Sequence, residues 1–268
     1  MIITSNDNKT IKKLRKIKQN KIKNEKMIIE GTKMIDEAIN ENAKIELIVL
    51  REDVYNNTDL IEKSTLKRIR EKNIQIIGIS KSIFNELTDV TTSKGVLALV
   101  DIKKEDDENI EKEIDLNADY ILFLDGIQDP GNLGTIIRTA SSANLKQIII
   151  SKDTVYPYSS KVIRSTMGSI FRVKILETND SIKTLNYLKQ NGFKIISTSL
   201  QTNKSIYDIK YDKTCVIIGN EGNGVKKEIQ DLSDYKVKIP MLGKTESLNA
   251  SVAAGIMIYE YVRDKINK

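Results

Sequence analysis

The stretch YILFLDGIQDPGNLGTIIRTASSA, residues 120–143, predicts the fold of the larger part of the chain. It opens with a nearly continuous apolar run, which is typical of a strand covered on both faces. The turn sequence Asp-Pro-Gly at 129–131 follows, and a helix is predicted after it. The apolar stripe of that helix is formed by Leu133, Ile136, Ile137 and Ala140. A strand joined to a helix in this way is the repeating unit of a parallel α/β sheet.

The same alternation continues to the C-terminus. Further strands are predicted at residues 147–151, 171–177, 193–200, 214–220 and 235–241. Helices are predicted at residues 132–144, 159–167, 180–190, 224–232 and 246–265. We therefore expect a parallel α/β domain over residues 118–268.

A second, smaller α/β domain is predicted over residues 1–100. Its strands fall at residues 27–30, 45–50, 74–79 and 95–100, and its helices at 8–20, 32–41 and 58–71. Residues 101–118 hold eight acidic residues against three lysines and have little apolar periodicity. We interpret residues 101–117 as a charged linker, with a solvated surface helix as the alternative.

Composition narrows the chemistry. Histidine is absent from the 268 residues, which excludes Ser-His-Asp and Cys-His catalysis and any histidine-ligated metal site. No carboxylate cluster suggests another metal site, so we expect none. Cys215 is the only cysteine, so an intrachain disulfide is impossible.

Charge and hydropathy suggest a partner and a compartment. No apolar run reaches the ~20 residues of a membrane span, and the N-terminus lacks the apolar stretch of a signal peptide. We therefore expect a cytoplasmic protein without membrane contact. The formal net charge of +6 favours an anionic partner, nucleic acid first.

Ligands of open α/β sheets bind beyond the carboxyl ends of the strands, which directs attention to three loops. The first begins the predicted helix after residue 131, with Asn132 at its start and Arg138 pointing away from the apolar stripe. On the pattern alone, the favoured interpretations are a helix cap for Asn132 and a solvated surface charge for Arg138.

The other two loops are rich in glycine and in small polar residues. VIIGNEGNGV, residues 216–225, places Glu221 among three glycines, although a generic tight turn has the same composition. IPMLGKTESLNASV, residues 239–252, brings Ser247, Asn249 and Ser251 to the start of the last predicted helix. Helix capping alone requires only one such residue.

Together and in this order, the three segments resemble the signature motifs of the SpoU/TrmH RNA methyltransferases of the SPOUT superfamily. The first matches through DPGN-x-G-x-x-x-R-T-A, the second through G-N-E-G-x-G, and the third through IPM…ESLN-x-S. The N-terminal stretch resembles the family's substrate-binding domain, an α/β unit similar to certain ribosomal proteins. That resemblance rests on residues 3–5, 8–12, 30–31 and 91–100, and it departs at Lys94, where glutamine is frequent in relatives.

The resemblance implies a C-terminal α/β domain whose sheet is tied in a deep trefoil knot, preceded by a small RNA-binding domain. Knots are otherwise almost absent from proteins, and no periodicity in the chain indicates one. The family binds S-adenosylmethionine in the loops of the knot and transfers its methyl group to a ribose 2′-hydroxyl in RNA. It works as a homodimer through helices that correspond to residues 132–144 and 246–265.

The resemblance also assigns candidate site residues. The cofactor-binding set is Thr198, Gly219, Glu221, Gly222, Ile239, Met241, Ser247, Leu248 and Asn249. The catalytic set is Asn132, Arg138, Glu221 and Asn249. In the family Arg138 is a proposed base, but a guanidinium is always protonated in proteins, so an electrostatic clamp is the second interpretation. Glu221 is expected either to orient Arg138 or to take part in proton removal.

RNA contact is expected in the basic N-terminal stretch. Residues 1–27 hold nine Lys or Arg residues against two acids, and we expect Lys12, Lys13 and Lys16 to bind phosphates. Ribosomal RNA is the first expectation for the substrate and transfer RNA the second. Two other functions stay open: a non-catalytic RNA-binding or ribosome-assembly protein, and an oxidoreductase with a nucleotide cofactor. The latter lacks its G-x-G-x-x-G fingerprint here.

Overall fold

The computed structural model describes residues 2–103 and 110–267. The chain forms two compact units. Unit 1 comprises Met1–Lys104 and Tyr158–Phe171, and unit 2 comprises Glu105–Pro157 and Arg172–Lys268. Residues 104–109 of the predicted linker lie outside the described residues.

Unit 1 contains a five-stranded mixed sheet with helices on it. Its elements up to residue 101 are β1 (Ile2–Ile3), α1 (Lys9–Lys18), β2 (Lys26–Glu30), α2 (Thr32–Asn40), β3 (Ile45–Arg51), α3 (Glu52–Asn56), α4 (Lys63–Glu71), β4 (Gln75–Ile79), α5 (Lys81–Leu87) and β5 (Val96–Asp101). The strand order is β1-β4-β3-β5-β2, in which β5 is antiparallel to both of its neighbours. The apolar stripe of α1 packs on this sheet through Ile11, Leu14 and Ile17, as its spacing predicts.

Unit 2 is built on a six-stranded sheet in which every pairing is parallel. The elements from residue 120 onward are β6 (Tyr120–Asp125), α6 (Pro130–Ser142), β7 (Gln147–Ser151), α7 (Ser160–Thr166), β8 (Lys174–Thr178), α8 (Ser181–Gln190), β9 (Lys194–Thr198), β10 (Thr214–Gly219), α9 (Lys227–Leu232), β11 (Tyr235–Val237) and α10 (Ala250–Ile266). The sheet order is β11-β9-β10-β6-β7-β8. The central strands β6 and β10 are buried along their whole length, which explains their continuous apolar sequences.

One helix of the later chain belongs to the other unit. α7 packs against β2 within unit 1, and the Ser160 hydroxyl donates a hydrogen bond to the Asp89 carboxylate of the same unit. The compact units are therefore discontinuous in sequence, and the domain limits 1–100, 101–117 and 118–268 stay a prediction.

Element bounds differ from the predictions at the two helices that begin the site. The interpretation of Asn132 as the cap of α6 is wrong, because Asp129 is the N-cap and accepts a hydrogen bond from the Asn132 N–H at 2.8 Å. Pro130 then occupies the first turn, where a missing N–H costs nothing. The last helix begins at Ala250 and not at residue 246, because Asn249 is its cap in place of Thr245 or Ser247. Ser247 is therefore a loop residue.

Candidate active site

A cavity of about 470 Å³ opens at the carboxyl ends of the parallel strands in unit 2. Three loops line it, those that follow β9, β10 and β11, together with the first turn of α10. Eight of the nine predicted cofactor-binding residues line the cavity: Thr198, Gly219, Glu221, Gly222, Ile239, Met241, Ser247 and Leu248. The ninth, Asn249, is not among the lining residues and follows directly after Leu248.

The loop after β10 folds back sharply on the end of its own strand. Asn220 and Gly224 exchange backbone hydrogen bonds of 3.0 and 2.9 Å, and the Asn220 side chain accepts the N–H groups of Gly222 and Asn223. A Cβ atom on Gly219 would lie 2.1 Å from the Gly224 carbonyl carbon, so only glycine fits there.

Gly222, in the same loop, has more space around it than Gly219. A Cβ atom on Gly222 would have Asn220 Oδ1 as its nearest neighbour, at an ordinary contact distance of 3.6 Å. The chain itself therefore does not require glycine at residue 222, and the space in front of it belongs to the cavity.

Three of the four predicted catalytic residues form one hydrogen-bonded network. The Asn132 amide donates to Glu221 Oε1 at 3.0 Å, and the Asn249 amide donates to Asn132 Oδ1 at 2.9 Å. Asn249 Oδ1 in turn accepts the N–H groups of the first turn of α10. The network therefore links the starts of α6 and α10 to the loop after β10.

The Glu221 carboxylate accepts three hydrogen bonds from groups of the first loop and of α6. Besides the Asn132 amide it accepts the backbone N–H groups of Gln128 and Asp129, each at 3.1 Å. Burial opposes ionisation of this group, but the hydrogen bonds outweigh it and hold the pKa of Glu221 below its ordinary value. Glu221 is thus a carboxylate at neutral pH whose oxygens hold neighbouring loops together.

Arg138 stands apart from this network. It lies on the exposed side of α6, and within the described residues its guanidinium makes no hydrogen bond or ion pair. The expected contact between Glu221 and Arg138 is absent from the hydrogen bonds of the described residues, since Glu221 is engaged by Gln128, Asp129 and Asn132.

Two further residues of the site were not predicted. Asp125, buried at the end of β6, accepts the Lys226 N–H at 2.9 Å, and the Lys226 ammonium lies 3.5 Å from its other oxygen. The Asn220 amide donates to the Gly126 carbonyl at 2.8 Å, which adds a second link between the loops after β6 and β10. A carboxylate ending an otherwise apolar strand was the available signal for Asp125, because buried charges need dedicated partners.

The predicted phosphate-binding lysines of unit 1 differ in whether they form an ion pair. The Lys12 ammonium pairs with Asp7 at 2.8 Å and that of Lys13 with Glu46 at 3.0 Å. Lys16 is exposed and makes no such contact within the described residues.

Metal clusters and membrane-spanning helices are both absent from the described part of the chain. Residues 2–103 and 110–267 contain no group of three or more Cys, Asp or Glu residues placed to hold a metal ion. Over the same residues no helix is long and apolar enough to cross a membrane.

An all-parallel sheet with a loop-lined cavity at its carboxyl ends, beside an amide–carboxylate network, is typical of α/β enzymes that bind a small organic cofactor. Comparison with known proteins identifies the family of enzymes to which the chain belongs. The family model described as the SpoU rRNA Methylase family matches residues 119–259, and that of the MRM3-like substrate binding domain matches residues 8–98. The chain belongs to the SpoU rRNA methylase family.

Relatives match along nearly the whole chain. The 23S rRNA (guanosine(2553)-2'-O)-methyltransferase RlmP of Bacillus subtilis is 29% identical over 96% of this chain and 97% of its own length. A putative TrmH family tRNA/rRNA methyltransferase of Staphylococcus epidermidis is 31% identical over 90% of this chain and 97% of its own. The AdoMet-bound rRNA methyltransferase of Sinorhizobium meliloti superposes with a TM-score of 0.82 at 25% identity, covering 98% of this chain and 97% of that one. The protein is an S-adenosylmethionine-dependent RNA 2′-O-methyltransferase.

Proposed function

We propose that this methyltransferase modifies ribosomal RNA, with transfer RNA as the alternative substrate. The match to a substrate-binding domain over residues 8–98 and the 23S rRNA substrate in the name of the Bacillus subtilis relative support ribosomal RNA. The name of the Staphylococcus epidermidis relative includes both RNA classes. Ribosomal RNA is made and assembled in the cytoplasm of bacteria, which is the location that we propose.

The cavity of unit 2 is the proposed cofactor site. Its volume of about 470 Å³ lies within the ~300–1,000 Å³ range of small-molecule sites. Its lining combines apolar side chains such as Ile239 and Leu248 with backbone groups of the loop after β10, which suits an adenine ring and its polar edges. S-adenosylmethionine supplies an electrophilic methyl group when it is bound.

The hydrogen-bonded network favours a mechanism of positioning. Each side-chain amide carries two N–H groups, so Asn132 and Asn249 each retain one donor beyond the bonds described above. We assign these two donors to the oxygens of the target ribose. Glu221 holds Asn132 in place and acts as a positioning residue, because its carboxylate already accepts three hydrogen bonds and these hold its pKa below the ordinary value. The hydroxyl proton then passes to solvent water.

Arg138 is the proposed phosphate clamp. An arginine stays protonated at all working pH values, and its planar guanidinium matches a phosphate group. An exposed guanidinium without a partner in the described residues is available for such a contact. The clamp interpretation is therefore favoured over a base.

The exposed face of α10 is the proposed dimer interface. Val252, Tyr259 and Ile266 are 49%, 51% and 77% exposed and recur every seven residues, so they lie along one side of the helix. An exposed apolar stripe along a helix is one of the features that mark a protein–protein interaction site. A second copy of this chain is the partner that we propose, in agreement with the family resemblance.

The network Glu221–Asn132–Asn249 beside the cavity is the observation that carries the proposal. The test is methyl transfer from labelled S-adenosylmethionine to purified ribosomal and transfer RNA, both isolated from cells that lack the protein. We expect label in ribosomal RNA. Label confined to transfer RNA would establish the alternative, and no label in either RNA would refute the proposal.

A further inference from the structure

Three charged residues line the cofactor cavity: Glu221, Lys238 and Glu246. The Glu221 carboxylate is committed to the Asn132 amide and to two backbone N–H groups. Within the described residues neither the Lys238 ammonium nor the Glu246 carboxylate makes a hydrogen bond or an ion pair. The cavity thus offers one uncommitted cation and one uncommitted anion.

The backbone places both residues at the edge of the cavity. Lys238 follows β11, and its backbone is held by hydrogen bonds with Lys204 at 2.9 Å and Ile206 at 3.0 Å. Glu246 directly precedes Ser247 and Leu248, which also line the cavity. Both residues therefore sit in loop segments that bound the cavity, where Lys238 is half-buried and Glu246 is exposed.

We propose that Glu246 and Lys238 recognise the amino-acid end of S-adenosylmethionine, with Glu246 binding its α-ammonium and Lys238 its α-carboxylate. This assignment rests on the proposed use of the cavity as the cofactor site. The amino-acid end is a zwitterion, so a site that binds it in a partly enclosed space needs one group of each sign. Lys238 and Glu246 supply that pair.

The amino-acid end is absent from 5′-methylthioadenosine, which keeps the adenine and ribose of the cofactor. Comparing this nucleoside with S-adenosylhomocysteine therefore isolates the contribution of the amino-acid end. The comparison also separates our assignment from an alternative, in which Glu246 binds the two ribose hydroxyls.

The experiment is calorimetric titration of the full chain with S-adenosylhomocysteine and with 5′-methylthioadenosine. We expect Glu246→Gln and Lys238→Gln each to weaken S-adenosylhomocysteine about tenfold, as expected for the loss of one charge-assisted hydrogen bond. The affinity for 5′-methylthioadenosine should change less than about twofold. Matched controls are Glu228→Gln and Lys227→Gln, which remove exposed charges of α9 outside the cavity lining and should change neither affinity.

Two results would overturn the assignment. One is an unchanged affinity for S-adenosylhomocysteine in both cavity variants. The other is an equal loss for both ligands in Glu246→Gln, which would place the carboxylate on the ribose.

A separate variant tests the cavity itself. Gly222→Leu adds a side chain that the backbone accommodates and that narrows the cavity, so it should abolish binding of both ligands. Wild-type affinity in Gly222→Leu would refute the cofactor site and with it the proposed mechanism. Loss of binding there, with full binding in the two charge variants, would refute only the assignment of Lys238 and Glu246.

Discussion

Asn249 has two functions at one residue: its Oδ1 caps α10 and its amide nitrogen donates to Asn132. We predict that Asn249→Ala lowers kcat by roughly 10²–10³, the usual effect of removing one positioned donor. The same change should cost about 1 kcal/mol of unfolding free energy through the lost cap. Single-turnover kinetics and urea unfolding measure the two effects.

Asn249→Ser separates these functions. Serine caps a helix as well as asparagine does but carries no amide to reach Asn132. Its stability should therefore stay near that of the wild type while its activity falls as far as in Asn249→Ala. Full activity in Asn249→Ser would exclude a catalytic donor at this residue.

Glu221 should make the stability of the protein depend on pH. The pKa of Glu221 is lowered in the folded protein, so its carboxylate stabilises the fold at pH values above the ordinary pKa of 4.5. This stabilisation is lost as the pH falls through the lowered pKa. We predict that Glu221→Gln is less stable than the wild type at pH 7 and that the difference shrinks below pH ~4.5. Denaturant midpoints measured from pH 7 to pH 3 provide the comparison. A difference that is constant over this range would contradict the assigned hydrogen bonds.

For the individual residues of the site, the sequence identified which ones lie together but not the role of each one. Asn132, Glu221 and Asn249 were expected together, and the structure joins them by hydrogen bonds. The role of Asp129 as the cap of α6 was missed, because Asp129 and Asn132 both have capping side chains and only backbone geometry distinguishes them. The catalytic and cofactor roles of the network residues stay predictions.

Among the elements, α1 carries the proposed RNA contacts. Lys16 has no ion pair in the described residues, whereas Lys12 and Lys13 are paired with Asp7 and Glu46. A phosphate must compete with a carboxylate for the paired lysines. We therefore predict that Lys16→Ala lowers the slope of log affinity against log salt by about one and that Lys12→Ala lowers it by less.

Filter binding of ribosomal RNA at several salt concentrations measures these slopes. The triple change of Lys12, Lys13 and Lys16 to alanine should weaken RNA binding further and leave the affinity for S-adenosylhomocysteine unchanged. An unaltered slope in the triple variant would show that the basic face of α1 is only a solvated surface.

The last helix, α10, carries the proposed dimer interface. We predict that light scattering gives twice the chain mass of 30.3 kDa for the wild type and a single chain mass for Tyr259→Asp. A charge in the middle of an apolar interface is costly because it loses its hydration. The control is Leu60→Asp, since Leu60 is 56% exposed in unit 1 and should leave the dimer intact. A monomeric wild type at micromolar concentration would contradict the interface.

Apolar periodicity predicted most of the elements, including the short helices α7 and α9, but it missed β1, α3 and α5. β1 has only two residues, which is too few to show any alternation. α5 does carry a capping serine, Ser80, which was an available signal. The predicted helix at 58–71 is instead the shorter α4 preceded by a single turn at Thr58–Leu60.

For the whole molecule, the sequence predicted an α/β protein with a parallel sheet, and the structure and the family comparisons confirm this fold class. The packing of α7 within unit 1 could not be predicted, because amphipathic spacing gives the buried face of a helix but not its partner. The trefoil knot was inferred from family resemblance alone and stays a prediction. A chain crossing depends on the path of the backbone in space and has no periodic sequence signal.

The central claim is that this chain methylates a ribose oxygen of RNA at the Asn132–Glu221–Asn249 network. The most direct measurement is mass spectrometry of nucleosides from ribosomal RNA, incubated with the protein and isotope-labelled S-adenosylmethionine. We predict one labelled 2′-O-methylnucleoside, present with the wild type and reduced at least about 100-fold with Asn249→Ser. Label on a base, or undiminished ribose label with Asn249→Ser, would contradict the account.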